Sequence, residues 1–382
     1  MQTNKRTRLL PALALPALAF VFLGITLLSP LTSAQKVKQL PPPPPAPKYK
    51  PKPTPTPAPI EYDVVRVNSN LIVVPVSVSD AQGQPVLGLK QNDFRIEEDG
   101  RPQEIAQLGD PEQVPLDIAL LIDVSSSVSE RFAFEEQAAT RFLKQVLRPT
   151  DRATVYAIDR VPRLEQPLGP ADTATARLLE IKAATGPSPT AFYDTVEDAA
   201  RYLAKNTPEQ HRRVIVAISD GEDNFSNSVR DSSIIAYRAS QKEDATSAVG
   251  RSRIRAASEA ALLEGHRKAQ IEMQREVQRA NAVFYSINPS GLSIRLNAIS
   301  TRAQNAMQSL ATSTGGSAFV PEAISSLEGV FSRIASELRA QYLLQYYANE
   351  NAGRTFRKIL VTSPTHPQLR VRAREGYYPK GK

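Results

Sequence analysis

The sequence predicts an α/β fold of three layers, a central, mostly parallel sheet between helices. Three observations predict it. Leu116-Asp117-Ile118-Ala119-Leu120-Leu121-Ile122 and Val214–Ile218 are apolar runs of the kind that form strands buried on both faces. Each ends in an oxygen-rich turn, Asp123-Val124-Ser125-Ser126-Ser127 or Ser219-Asp220-Gly221-Glu222-Asp223. Helical periodicity follows, with Phe134, Ala138, Phe142 and Val146 on the apolar side of Glu130–Leu147. Strand, polar turn and helix in that order put side chains at the carboxyl end of a parallel sheet, where α/β folds bind ligands.

The remaining elements follow in order. Residues 61–110 read as β-rich: Leu71–Ser79 alternates in its second half, Asp80–Pro85 is a turn cluster, Phe94–Glu97 is a strand, and Asp99-Gly100 marks a hairpin. The α/β domain spans 113–340. Its further strands are Ala153–Ile158, Ala282–Ile287 and Ala318–Val320. Its further helices are Ala171–Ala184, Ala191–Ala204, Ala303–Ser313 (ended by Gly315-Gly316) and Glu322–Leu338.

An insert at about 229–280 interrupts the domain. Ser232–Gln241 and Ile254–Ala280 read as helical, with a break at Asp244–Gly250, and are expected to form a helical hairpin projecting from the domain or one helix elongated past the body. Ile254, Leu262, Ala269, Met273 and Val277 form a weak apolar stripe, expected to pack on the domain. From 341 to 382 the period returns to two, with Tyr342, Leu344 and Tyr346, then strands at Lys358–Thr362 and Leu369–Ala373 and a loop at Asn349–Gly353. Neither flank has enough strands for a stable core. The two are expected to form one β-sandwich-like domain.

Ahead of all this, residues 1–34 have the build of a secretory signal peptide. Lys5-Arg6-Thr7-Arg8 is positive, Leu9–Leu28 is uncharged and apolar, and Thr32-Ser33-Ala34 offers small residues before Gln35. The run also approaches the ~20 residues that span a bilayer, so an uncleaved anchor is the competing expectation. In either case the body is expected to be exported: periplasmic, envelope-associated or secreted. Residues 35–60 form a Pro/Lys-rich linker that cannot build a core. In polyproline II, at about 3.1 Å per residue, it would reach roughly 80 Å. It is expected to act as a spacer, with Lys48, Lys50 and Lys52 available to a membrane or wall polymer.

Composition narrows the function. The net charge of +8 comes from Lys5, Arg6, Arg8, Lys36, Lys38, Lys48, Lys50 and Lys52; the body from Glu61 onward is formally neutral. That argues against nucleic acid, which needs a basic face on a folded domain. Cys is absent, which excludes disulfides, zinc–thiolate sites, thiol nucleophiles and a lipoprotein anchor. His211, His266 and His366 are scattered, which argues against a His-rich metal site.

The turn residues carry a resemblance. Asp123, Ser125 and Ser127 stand as DxSxS after one strand, Thr190 precedes a helix, and Asp220 ends a later strand. This resembles the von Willebrand factor A domain and its metal-ion-dependent adhesion site. The resemblance implies Ser125, Ser127 and Thr190 as direct or near-direct ligands, Asp123 and Asp220 acting often through water, and a partner's carboxylate completing the octahedron. Hydroxyls and two carboxylates with no soft ligand suit Mg²⁺ or Mn²⁺. Pro189 stands where the family commonly has Gly, which predicts a stiffer loop. Asn92–Gly100, Gln341–Tyr347 and Arg372–Tyr378 resemble segments of the bacterial secreted VWFA-related proteins, over about 61–380 apart from the insert.

Three function classes compete. A binding module would capture a protein or cell-envelope ligand through a carboxylate on the cation, for adhesion or complex assembly. An enzyme is not expected, because no nucleophile elbow, phosphate loop, paired-metal acid cluster or ordered Ser–His pair is present. A metal-independent envelope scaffold using the helical insert is the alternative. The binding module is the leading expectation. Glu222 and Asp223 are expected to be solvated.

Overall fold

The computed structural model describes residues 71–125, 131–186, 188–241, 245–291, 297–348 and 355–379. The predicted signal peptide, the linker, Ser127 and the Asn349–Gly353 loop lie outside the described residues.

The central sheet has six strands. β5 (Leu116–Asp123) lies between β6 (Arg152–Ile158) and β8 (Arg212–Ile218), parallel to both. β9 (Ala282–Ile287) pairs parallel with β8, and β10 (Ala318–Phe319) with β9. β7 (Arg163–Gly169) closes the other edge, antiparallel to β6. The chain leaves β5 toward β6 and later returns to β8 on β5's other side. The carboxyl end of β5 is thus a switch point, with a crevice between the two directions.

β5 is buried along its whole length because both faces are covered. Leu116, Ile118, Leu120 and Ile122 point into the core formed with α1 (Phe132–Val146), α2 (Ala171–Leu178) and α7 (Leu327–Arg339). Ala119 and Leu121 point to the opposite core, formed with α3 (Phe192–Asn206), α5 (Ala248–Arg279) and α6 (Ala298–Thr314). Each fully buried Leu or Ile contributes roughly 1.5–3 kcal/mol relative to exposure.

The insert is a pair of helices, α4 (Asn227–Ser240) and α5, packed on each other. They cross closely at Gly265, where a Cβ would meet Ser232 Oγ at 2.6 Å and Ser228 O at 2.9 Å. The expected stripe seals the C-terminal half of α5 onto the domain through Ala269, Met273 and Val277, all buried. Leu262 is partly buried against the same core.

The two flanks interleave. β1 (Leu71–Ser79) pairs antiparallel with β11 (Tyr342–Tyr347) and β13 (Arg370–Ala373), and β4 (Gln107–Gly109) pairs with β11. In a second sheet, β12 (Arg357–Thr362) lies between β2 (Arg95–Glu98) and β14 (Gly376–Tyr377), with β3 (Arg101–Gln103) outside β2. Val74, Val76, Ile96, Leu344, Tyr346, Ile359 and Tyr377 share one core. Glu98 bridges the sheets, accepting from Tyr346 Oη at 2.6 Å and Tyr377 Oη at 2.9 Å and pairing with Arg357.

β1 has both of its strand partners in the C-terminal flank. Residues 61–110 expressed alone are therefore expected to show the circular dichroism of an unfolded peptide. A cooperative thermal transition in that fragment would contradict the shared sandwich.

Arg212 ties the chain's two passages between sandwich and α/β domain. Buried at the start of β8, it donates from Nη1 to Leu338 O at 2.7 Å and from Nη2 to Pro111 O at 3.1 Å.

Several boundaries differ from expectation. The helix expected to Ala184 ends at Leu178, because Ala184 N instead donates to Val124 O at 2.7 Å. Phe134, expected on the core face of α1, is only partly buried, and Glu135 takes a buried position.

Candidate metal centre at the carboxyl edge of the sheet

Four of the five residues singled out in sequence can be placed. Asp123 is the last residue of β5, Ser125 lies in the following turn, Asp220 follows β8 by two residues, and Thr190 precedes α3. All sit at the carboxyl ends of parallel strands or in the loops beside them. The fifth, Ser127, lies outside the described residues.

Asp123 is 1% exposed and rigidly held. Its Oδ1 accepts from Ser125 N at 2.9 Å and its Oδ2 from Ser219 Oγ at 2.7 Å. Ser219 Oγ accepts in turn from Gly221 N at 2.9 Å. Gly221 has a φ of +73°, which lets the chain turn here without a side-chain clash. Asp220 Oδ1 accepts from Glu222 N at 3.0 Å.

The Thr190 loop is pinned by backbone. Thr190 N donates to Asn224 Oδ1 at 2.8 Å, and Thr190 O accepts from Asn224 N at 3.0 Å and Phe225 N at 3.1 Å. On its other side, Ser188 Oγ donates to Asp159 Oδ1 at 3.1 Å and Ala191 N to Asp159 O at 2.9 Å. The stiffness expected of Pro189 is thus accommodated, with Thr190 buried beside the β8 turn.

The electrostatics of this edge are strained. Burial raises the Asp123 carboxyl above the usual carboxylate range. Burial and then the charge of Asp123 raise Asp220 to about 6. Glu135, in the first turn of α1, is fully buried, and neither of its carboxylate oxygens has a hydrogen-bond partner. Burial chiefly raises it to about 8, with Asp123 and Asp220 adding and Arg131 opposing. Arg131 itself reaches across to Pro289 O and Ser290 Oγ, both at 3.2 Å.

This donor set fits a small hard cation. The oxygens are carboxylate and hydroxyl, with no sulfur or imidazole among the singled-out residues. Among the described residues no three His, Asp or Glu side chains converge tightly enough to hold a metal by themselves. Hydroxyls would therefore have to complete the set, as the DxSxS pattern supplies them. Burial without a hydrogen-bond partner makes an ionised Glu135 carboxylate costly, and a divalent ion nearby would lower that cost.

Residues 118–222 match the sequence profile of the von Willebrand factor type A domain. The chain carries that domain. The profile spans from β5 to the turn after β8, which includes every candidate metal residue. No curated protein matches the chain. Solved structures similar to it include an aerotolerance-related membrane protein from Bacteroides fragilis, at 15% identity over 58% of this chain and 98% of that one, TM-score 0.36. The vWF domain of the type V pili tip protein Mfa5 from Porphyromonas gingivalis gives 12% identity, 58% and 94% coverage, and 0.39. Proximal thread matrix protein 1 from the mussel byssus, with a zinc-occupied MIDAS motif, gives 13% identity, 62% and 48% coverage, and 0.39.

Within the type A domain, three buried polar positions at or beside this edge escaped the sequence reading. Glu135 was hidden in an amphipathic helix pattern, its signal being an acid at a core position of the first turn. Ser219 orients Asp123 from the neighbouring strand. Asp223, expected to be solvated, is buried and clamps two helices. It accepts from Tyr193 N at 2.9 Å, Ser226 N at 3.0 Å and Ser226 Oγ at 2.5 Å, which bridges the starts of α3 and α4. Glu222 is half-buried and accepts from Ser300 Oγ at 2.9 Å.

A separate cavity of 530 Å³ opens between α3, α4 and α5, lined by Asp194, Glu197, Glu272 and Glu276 among others. Arg201 pairs there with Glu197 and Glu276, so this polar cleft is substantially charge-compensated.

Proposed function

We propose that the chain is an exported, non-enzymatic binding module that grips a protein or cell-envelope partner through a divalent cation. Ser125, Ser127 and Thr190 would hold Mg²⁺ or Mn²⁺, with Asp123 and Asp220 supporting it directly or through water. The cation would supply a Lewis-acidic position for a carboxylate of the partner. The observation that supports this reading is the position of Asp123, Ser125, Thr190 and Asp220 at or beside the carboxyl ends of parallel strands, where burial raises the Asp123 and Asp220 carboxyls above their ordinary range. Asp123 is fixed in orientation by Ser125 N and Ser219 Oγ before any ion arrives. Such preorganisation lowers the cost of assembling a site.

Calorimetric titration of Mg²⁺ and Mn²⁺ into the purified chain tests the metal, and capture of envelope proteins with and without EDTA tests its use. Saturable binding and EDTA-sensitive capture are expected. Absence of heat with both ions would overturn the metal reading.

One observation favours a second reading, a metal-independent envelope scaffold. Ile234, Ile235 and Tyr237 of α4 and Val249 and Leu263 of α5 are exposed apolar side chains on the insert. Capture that survives EDTA and is lost with Ile235→Glu would favour the scaffold. Export follows from residues 1–34 alone; among the described residues no helix is long and apolar enough to cross a membrane.

A further inference from the structure

Beside the candidate metal centre lies a cationic platform that folding does not explain. The guanidinium of Arg160 lies over the ring of Phe225, 4.9 Å from its centroid, and that of Arg230 lies 5.4 Å from the same ring. Phe225 is fixed by its backbone, N donating to Thr190 O at 3.1 Å and to Asp223 Oδ1 at 3.2 Å. Arg160 follows Asp159, the residue that holds Ser188 and Ala191 on the opposite side of Thr190. The platform is thus built from the two segments that brace the Thr190 loop.

The two arginines differ. Arg230 donates to Asn227 Oδ1 at 2.7 Å and lies close enough to Asp194 to favour that residue's carboxylate. Arg160 is exposed, and its guanidinium has no hydrogen bond or ion pair among the described residues. Stacking on an aromatic face restricts a guanidinium without using its N–H donors. The fork stays free for a carboxylate in bidentate geometry, with less side-chain entropy left to lose. The adjacent Asp159 carboxylate accepts from Arg160 N, Ser188 Oγ and Arg163 Nη1 rather than from the Arg160 guanidinium, so this exposed cation, held over an aromatic ring beside the candidate metal centre, is suited to recognition.

We propose that Arg160, on its Phe225 platform with Arg230 beside it, is a second anion subsite, and that the partner presents an acidic polypeptide segment with at least two carboxylates. One carboxylate engages the metal centre and another engages Arg160. This rests on the metal-dependent reading above and adds the ligand class to it.

The test uses the purified full chain with saturating Mg²⁺ and two capped fluorescent peptides of equal length, oligo-glutamate and a Gly/Ser peptide with a single glutamate. Anisotropy reads both affinities at low salt. The parent is expected to prefer oligo-glutamate by about tenfold or more, the size of one charge-assisted bidentate contact. Arg160→Ala should lower oligo-glutamate affinity about tenfold more than it lowers that of the single-glutamate peptide, and Arg160→Lys should fall between, keeping charge but losing the planar fork. An unchanged preference in Arg160→Ala, or no oligo-glutamate binding by the parent, overturns the proposal. Oligo-glutamate binding that depends on Arg160 but ignores EDTA keeps the subsite and removes the metal reading, so the two failures are distinguishable.

Discussion

Asp123→Ala is expected to abolish measurable divalent-cation binding. Asp123 is one of only two carboxylates in the motif, and its position is set by Ser125 N and Ser219 Oγ. Removing a full charge next to a divalent ion in a buried edge costs far more than at an exposed one. A loss of at least about a hundredfold, or ~3 kcal/mol, is expected for both Mg²⁺ and Mn²⁺. The fold should survive. Two buried donors lose their acceptor, at about 1–3 kcal/mol each, but a costly buried carboxylate disappears with them. Asp123→Asn keeps an acceptor of the same shape and serves as the folding control. Parallel calorimetric titrations of parent and both variants, with circular dichroism on each, read the result. Equal affinity in parent and Asp123→Ala would remove the metal centre from this edge.

The second large effect is a pH dependence that the cation should suppress. The folded-state pKa of Glu135 is near 8, against an ordinary 4.5. Between those values the folded state holds a proton that the unfolded state has released. Its contribution is therefore most favourable below pH 4.5 and declines as pH rises through 8. His266, lowered to about 4 by burial, works in the opposite direction, but only below its ordinary 6.5. Asp220 and Glu197, each raised to about 6, have mostly titrated by then. From pH 6.5 to 8 the Glu135 penalty should grow by about 2 kcal/mol.

Urea denaturation in EDTA at the two ends of that window measures the loss. Glu135→Gln is expected to remove about 2 kcal/mol of it, and saturating Mg²⁺ should flatten the parent's profile above pH 6.5. Equal slopes in parent and Glu135→Gln would mean that Glu135 does not titrate there.

Much of this was legible in the sequence, for identifiable reasons. Val214–Ile218 and Leu116–Ile122 announced themselves because strands covered on both faces leave no room for polar residues. Asp99-Gly100 gave its hairpin away through the backbone it must adopt, with φ of +49° and +75°. The places of Asp123, Thr190 and Asp220 could be read because each stands at a strand end or a helix entrance. β7 could not: Arg163-Leu164-Glu165-Gln166-Pro167-Leu168-Gly169 is an edge strand with no fully buried residue and no alternation, held by pairing to β6. The early end of α2 was hidden for a similar reason, since the backbone of Val124 claims Ala184 from across the fold. Glu135 was missed because periodicity ranks residues by hydrophobicity, and an acid in a core position reads as noise until its surroundings are known.

The interleaved sandwich also imposes a timetable on the growing polypeptide. The α/β domain, from β5 to α7, is contiguous and can close while later residues are still being made. β1 cannot: its partners β11 and β13 begin at Tyr342 and Arg370, so its apolar residues Val74, Val76 and Val78 stay without cover for most of the time of synthesis. Closing a loop this long is among the slower steps open to a domain. The nascent chain thus passes through a stage with a finished body and an unpaired, aggregation-prone strand at its front. Any truncation before Tyr342 would leave it there permanently.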